Sequence, residues 1–339
     1  MTASDDLLSV RELSVSFSTP AGVARAVNEV SLSIWPGERL ALVGESGSGK
    51  TVTAMSLLGL VRGASISGHI RYAGRDLLAL AGKQWRTVRG REIGIVLQDP
   101  NSSLNPTMRV RKQIFEALRL AGVSRDQRDA EAAGLLAKVG ISDPARILRS
   151  YPFQLSGGQQ QRVVISIALA QQPRLLIADE PTTALDVKVQ AQVLRLLLRL
   201  GEQQHMSILL ITHDLSVVAG FAERVAVMYG GRIVELGATT TIFQAPRHPY
   251  TQGLLRSTPR ADAGQGARFD AIPGEVPPAT GLPSGCAFRS RCPFARPRCA
   301  AELPLLRGMS TPGHLAACHF AGELGPAGNP AAESSDAPA

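Results

Sequence analysis

Gly44-Glu45-Ser46-Gly47-Ser48-Gly49-Lys50-Thr51 decides how the rest of this chain is read. The stretch fits the pattern G-x-x-x-x-G-K-[ST] at every defined position. Gly44, Gly47 and Gly49 let the backbone turn tightly, so successive N–H groups of the loop face one concavity that suits phosphate oxygens. All eight residues, Glu45, Ser46 and Ser48 included, are therefore candidate phosphate-binding positions. Lys50 brings a point charge to the outer phosphates, and the Thr51 hydroxyl is a candidate ligand for Mg²⁺. The flanks agree. Arg39 to Val43 reads as a short buried parallel strand. Val52 to Leu60 reads as a helix whose N-terminus adds its positive end to the anion site.

Upstream, Leu8, Val10, Leu13, Val15 and Phe17 alternate with a one-residue slip, and Ala26 to Ile34 alternates again. An antiparallel β layer is expected ahead of the loop, with Phe17 as a candidate platform for a nucleotide base. Downstream, residues 68–98 carry a strand pattern that ends in Ile93-Gly94-Ile95-Val96-Leu97-Gln98. Helical spacing over 108–150 marks a helical insertion. Leu155-Ser156-Gly157-Gly158-Gln159 then opens an apolar helix, where Ser156 is a good N-cap and the helix start a second phosphate-binding N-terminus.

Several buried strands end in polar groups. Gln98 closes one. Leu175 to Ala178 ends in Asp179-Glu180, two adjacent carboxylates that are costly unless a cation or proton is shared. Mg²⁺ at Asp179 would supply the cation, with Glu180 on the other strand face placed to deprotonate a water. Asp186 follows, and Ser207 to Thr212 ends at His213. Val225 to Leu236 reads as a hairpin around Gly230-Gly231.

The chain has 339 residues, a net charge of +8 and 44% hydrophobic content. Length predicts roughly two domains. No apolar run of about 18 residues is present, so no membrane-spanning helix is expected. The polar start Met1-Thr2-Ala3-Ser4-Asp5-Asp6 does not fit a secretory signal, so a cytosolic location is expected. The positive charge suits nucleotide phosphates, an anionic membrane surface or nucleic acid.

Taken together, these motifs over residues 1–240 resemble the nucleotide-binding subunits of ABC transporters. Ser156 lies 106 residues after Lys50, and Gln98, Asp179-Glu180, Asp186 and His213 stand in the family's order. The resemblance implies an α/β fold: a P-loop NTPase (RecA-like) core, an antiparallel β subdomain and a helical signature subdomain at about 100–172. It implies that Lys50, Gln98, Glu180 and His213 are catalytic, with Glu180 as the base and His213 as the γ-phosphate switch. Thr51, Gln98 and Asp179 would hold Mg²⁺, Phe17 would stack on adenine, and Asp186 would be the D-loop residue. Ser156, Gly157, Gly158 and Gln159 would act on the nucleotide of a second ATPase subunit.

Past residue 241, His248 to Leu255 and Ile272-Pro273-Gly274-Glu275-Val276-Pro277-Pro278 resemble the extension of oligopeptide and dipeptide importer ATPases, as does Gln98 to Pro106. That implies ATP-driven uptake of small peptides at the cytoplasmic face of the inner membrane. Its partners would be a paralogous second ATPase and two permease subunits, with an extracytoplasmic peptide-binding protein acting indirectly. Import of nickel or another small solute is the alternative. A soluble ATPase acting on nucleic acid is the rival of a different class. It is disfavoured because 106 residues leave no room for a long coiled coil, so no nucleic-acid partner is expected. All four cysteines, Cys286, Cys292, Cys299 and Cys318, lie at 241–320 with five, six and 18 intervening residues. These spacings match neither a zinc ribbon nor a ferredoxin. The resembling importers imply a [4Fe–4S] cluster here, with Zn²⁺ as the alternative, and Arg289, Arg291, Arg296 and Arg298 available to offset its charge. Residues 321–339 read as a disordered tail.

Overall fold

A hairpin opens the chain: β1 (Leu8–Thr19) and β2 (Gly22–Ile34) pair antiparallel. The slip in the apolar alternation is a bulge, since the register shifts between Val10 and Leu13 and Glu12 adopts φ 52°. The computed structural model describes residues 6–183, 185–257 and 271–323. β3 (Arg39–Val43) leads through the phosphate loop into α1 (Lys50–Leu57). β4 (Ala64–Tyr72) adds to β1, and β5 (Arg75–Asp76) adds to β4.

The expected strand over 68–98 is interrupted. α2 (Lys83–Val88) lies within it, and the strand beyond, β6, is only Ile93–Val96. Trp85 gives the reason, because its ring is buried against Gly59 at the end of α1 with the Arg89 guanidinium 4.8 Å above it. Burying one large ring in a short helix outweighs the β propensity around it.

The helical insertion comprises α3 (Pro100–Ser103), α4 (Val110–Leu120), α5 (Arg128–Lys138), α6 (Pro144–Arg149) and α7 (Gly157–Leu169). Val110, Ile114 and Leu118 of α4 meet Leu135 and Leu136 of α5, Ile147 of α6 and Val163 of α7 in one apolar cluster. The chain then alternates through β7 (Leu175–Asp179), α8 (Val187–Gln204), β8 (Ser207–Thr212), α9 (Leu215–Val218), β9 (Arg224–Tyr229) and β10 (Arg232–Ala238). α10 (Thr239–Gln244), α11 (Pro249–Ser257), α12 (Pro297–Ala301), β11 (Arg307–Gly308) and β12 (Leu315–Ala316) complete it.

The described residues form two sheets, β2-β1-β4-β5 and β11-β12-β10-β9-β3-β8-β7-β6. β9, β3, β8, β7 and β6 run parallel. Their unbroken apolar runs follow from burial on both faces. Ala41, Leu176, Ala178, Ile208 and Leu210 face the helical insertion, while Leu40, Leu42, Leu175, Ile177, Leu209 and Ile211 face the antiparallel sheet. Each fully buried Leu or Ile contributes on the order of 2 kcal/mol.

The extension adds β12 to β10, with Glu235 opposite Ala316, so it continues the ATPase sheet. Glu235, fully buried on β10, accepts from Arg247 N–H at 2.6 Å, His248 N–H at 3.0 Å and His314 Nε2 at 2.8 Å. One carboxylate thereby ties α11 and the final hairpin to the sheet. Ala321 is buried and Glu323 pairs with Arg296 at 2.7 Å, so the packed chain runs past the expected start of the tail. The rest of that tail, 324–339, lies outside the described residues.

Candidate functional site

Sheet order explains why residues far apart in sequence meet. β3, β8, β7 and β6 are consecutive neighbours and parallel, so their carboxyl ends lie side by side. β3 delivers the phosphate loop, β8 delivers His213, β7 delivers Asp179 and Glu180, and β6 delivers Gln98. Ligands of open α/β sheets bind at such an edge.

The loop needs glycine where backbone comes close. A Cβ on Gly49, at φ 103°, would collide with the Ala26 carbonyl, and one on Gly44 with the Met228 carbonyl. Ser48 C=O accepts from Gly231 N–H at 3.0 Å, which ties the loop to the hairpin between β9 and β10. Lys50 is buried, and its ammonium donates to Gly44 O at 2.7 Å, Glu45 O at 2.8 Å and Ser48 Oγ at 3.4 Å. Desolvation holds its pKa below the ordinary lysine range, against the pull of Glu180, Asp179 and Glu45. A buried ammonium whose partners are only neutral oxygens is poised to exchange them for phosphate.

Asp179 is buried at the end of β7, and burial pushes its carboxyl above the usual range. Thr51 Oγ1 lies 3.3 Å from Asp179 Oδ1. A buried carboxylate and a hydroxyl side by side fit Mg²⁺, which prefers hard oxygen ligands. Glu180 lies just beyond the strand, so strand alternation does not direct its side chain as the sequence suggested. It takes φ 45° instead. Its carboxylate accepts from Gln98 Nε2 at 2.9 Å and Thr183 Oγ1 at 3.0 Å, and lies 3.2 Å from His213 Nδ1. Gln98 is itself exposed, two residues beyond the end of β6.

Ser156 caps α7 through a capping box. Its Oγ accepts Gln159 N–H at 3.4 Å, while Gln159 Oε1 accepts Ser156 N–H at 3.2 Å. The Ser156 proton remains available to a phosphate oxygen. Among the described residues no hydrogen bond joins 156–159 to the phosphate loop. Gly157 and Gly158 instead approach Leu185 and Val189. Asp186 caps α8 by accepting Val189 N–H at 2.9 Å. Phe17 is half-buried on β1 opposite Ala24.

In the extension, Cys286, Cys292, Cys299 and Cys318 are free thiols that line one small pocket with Phe288, Phe294 and Phe320. Burial pushes the Cys292 thiol up to about 11 and the Cys318 thiol to about 12. Arg289 Nη1 is buried with no hydrogen-bond partner, although Arg289 also lines this pocket. The other three arginines do not point there as charge donors: Arg291 pairs with Glu45, Arg296 with Glu323 and Arg298 with Glu302. Among the described residues no three His, Cys, Asp or Glu side chains stand close enough to hold a single metal ion.

Sequence reading missed Thr183, and it missed that Tyr250 and Arg291 reach the phosphate loop. Glu45 N–H donates to Tyr250 Oη at 2.8 Å, and the Glu45 carboxylate lies 2.8 Å from Arg291 Nη1. No local pattern marks these contacts, because they close over 205 and 246 residues.

Comparison with known proteins matches this geometry. The family described as ABC transporter matches residues 27–183, and the oligopeptide/dipeptide transporter C-terminal region matches residues 234–299. The chain is 46% identical over 327 residues to the dipeptide transport ATP-binding protein DppD of Escherichia coli (strain K12), covering 96% of this chain and 99% of that one. It is 45% identical to the oligopeptide transport ATP-binding protein OppD of the same organism, covering 93% of each. Among solved structures, the ATP-binding cassette MJ0796, dimeric, post-hydrolysis and bound to ADP and Pi, aligns with TM-score 0.61 at 27% identity, over 68% of this chain and 98% of that one. CbiO1 of Clostridium perfringens aligns with TM-score 0.61 at 28% identity, over 70% of this chain and 91% of that one. The protein is an ABC ATPase, and it belongs to the group of ABC transporter ATP-binding subunits that carries the oligopeptide/dipeptide transporter C-terminal region.

Proposed function

We propose that this chain binds and hydrolyses ATP to drive uptake of dipeptides or oligopeptides, as one ATPase of a membrane importer. The observation that carries this reading is that the likeness to dipeptide and oligopeptide transport ATP-binding proteins spans nearly the whole chain, extension included. No helix among the described residues is long and apolar enough to cross a membrane, so two permease subunits would supply the channel and hold this chain at the cytoplasmic face. An extracytoplasmic binding protein would deliver the peptide. The second ATPase would be a paralogue, and the exposed Ser156 and Gly157 would face its nucleotide.

ATP would lie on the loop from Gly44 to Thr51, with Lys50 moving from the Gly44 and Glu45 carbonyls to the outer phosphates. Thr51, Asp179 and Gln98 would hold the Mg²⁺ that accompanies ATP and neutralises phosphate charge. Glu180, aligned by Gln98, Thr183 and His213, would take the proton from the attacking water. Phe17 would stack on the adenine, and Asp186 would act across the subunit boundary.

The four cysteines line one pocket, and the preference for a cluster over one zinc rests on the resemblance to peptide importer ATPases. The orphaned Arg289 Nη1 suits an anionic cluster. We therefore read Cys286, Cys292, Cys299 and Cys318 as ligands of a [4Fe–4S] cluster with a structural role.

The experiment is Glu180→Gln in the assembled transporter. ATP turnover is expected to fall roughly 10²–10⁴-fold while ATP binding persists. Peptide-stimulated ATPase activity of the wild type tests the substrate class, and stimulation by nickel alone would replace peptide with metal uptake.

A further inference from the structure

Glu45 is the residue of the phosphate loop that is held from outside the ATPase core, at its amide and at its carboxylate. Its N–H donates to Tyr250 Oη at 2.8 Å, its C=O accepts from Lys50 Nζ at 2.8 Å, and its carboxylate meets Arg291 Nη1 at 2.8 Å. Both Tyr250 and Arg291 belong to the segment beyond β10.

Arg291 is built in. Its side chain is 4% exposed. Nε donates to Pro273 O at 2.8 Å, and Nη2 donates to Ile272 O at 3.2 Å. Its guanidinium lies 5.8 Å from the Tyr229 ring centre and 5.9 Å from that of Phe288. Tyr250 is fully buried, with ring centroids 4.6 Å from Tyr229 and 5.4 Å from Phe288. The Arg291 charge has one carboxylate partner, Glu45, and that partner sits in the phosphate loop. A surface ion pair would contribute little, whereas a nearly buried guanidinium strongly fixes its partner's position.

We propose that Arg291 and Tyr250 are positioning residues for the phosphate loop, so that the C-terminal extension sets nucleotide affinity. With Glu45 held at its amide by Tyr250 and at its carboxylate by Arg291, the loop enters ATP binding preorganised. Tyr250 and Arg291 reach the nucleotide only through Glu45. Losing the clamp therefore weakens nucleotide binding uniformly, raising KM for ATP with kcat at saturation little changed. The inference rests on the loop being an ATP site.

The test uses the full chain for nucleotide binding, read with a fluorescent ATP analogue, and the assembled transporter for kinetics. Tyr250→Phe keeps the ring packing and removes the acceptor for the Glu45 N–H. Arg291→Met removes the ion pair from outside the loop and leaves the Glu45 carboxylate, 26% exposed, to solvent. Each is expected to raise the dissociation constant and KM by roughly 3- to 30-fold, with kcat within about twofold and the unfolding midpoint unshifted. A loss in either variant with these features supports the clamp. Wild-type affinity and KM in both overturn it, as does an affinity loss that only accompanies a lowered unfolding midpoint. Failure of the wild type to bind the analogue would instead remove the ATP reading itself.

Discussion

Glu180 shows what a single residue in an uncommon conformation does. At φ 45° a non-glycine backbone costs of order 1–3 kcal/mol, tolerated only where surrounding contacts over-determine it. Those contacts are Gln98, Thr183 and His213, one from each of three chain segments, and together they aim the carboxylate. His248 is the opposite case, a titratable group with no catalytic position. It is fully buried, accepts Tyr250 N–H on Nδ1 at 3.1 Å, and burial lowers its pKa to about 4 despite nearby Glu235. The folded pKa is below the unfolded value of 6.5, so between those values the unfolded chain binds more protons. Stability contributed by this group is complete above about pH 7 and falls as pH drops toward 4, by on the order of 3 kcal/mol. Urea unfolding against pH should show this acid limb. His248→Asn, which retains an acceptor for Tyr250 N–H, should flatten it. An unchanged limb would show that His248 is not its source.

At the scale of elements, each parallel strand sends alternate residues into two cores and ends at the same sheet edge. The strand pattern was legible in Leu175 to Asp179 and Ser207 to Thr212, because burial on both faces leaves an apolar run that few other elements produce. The segment 68–98 was not legible: Trp85 chooses a helix by packing on Gly59, and that partner is invisible from its neighbours. The turn from Cys286 to Cys292 carries both the cysteine pocket and Arg291. Anaerobically purified protein should absorb in the visible range and contain iron and sulfide in about equal amounts. Cys299→Ser should abolish both signals. Colourless protein carrying stoichiometric zinc would place a single ion there instead, and colourless, metal-free protein would leave four buried thiols.

On the proposed function, the whole molecule presents half of a catalytic arrangement. The phosphate loop, Asp179, Glu180, Gln98 and His213 assemble within one chain, while the signature at Ser156 makes its described contacts elsewhere. Ser156→Arg should therefore leave ATP affinity of the isolated chain within about twofold. ATPase activity of the assembled transporter should fall by at least about 10-fold, since a donor aimed at phosphate is lost and a bulky side chain enters the interface. An equal loss of ATP affinity in the isolated chain would show that the signature acts in cis.

The sequence alone determined the chemistry of the nucleotide site. Phosphate cradling, metal ligation and base catalysis each demand residue types at short spacing or at strand ends, and the residues proposed for them are written locally from Gly44 to Thr51, at Asp179-Glu180 and at Ser156-Gly157-Gly158-Gln159. Tertiary structure alone decided who holds these groups in place. Tyr250 and Arg291 on Glu45, and Glu235 between His248 and His314, are contacts closed across the fold. Any residue of the right polarity could make them until packing specifies which one arrives.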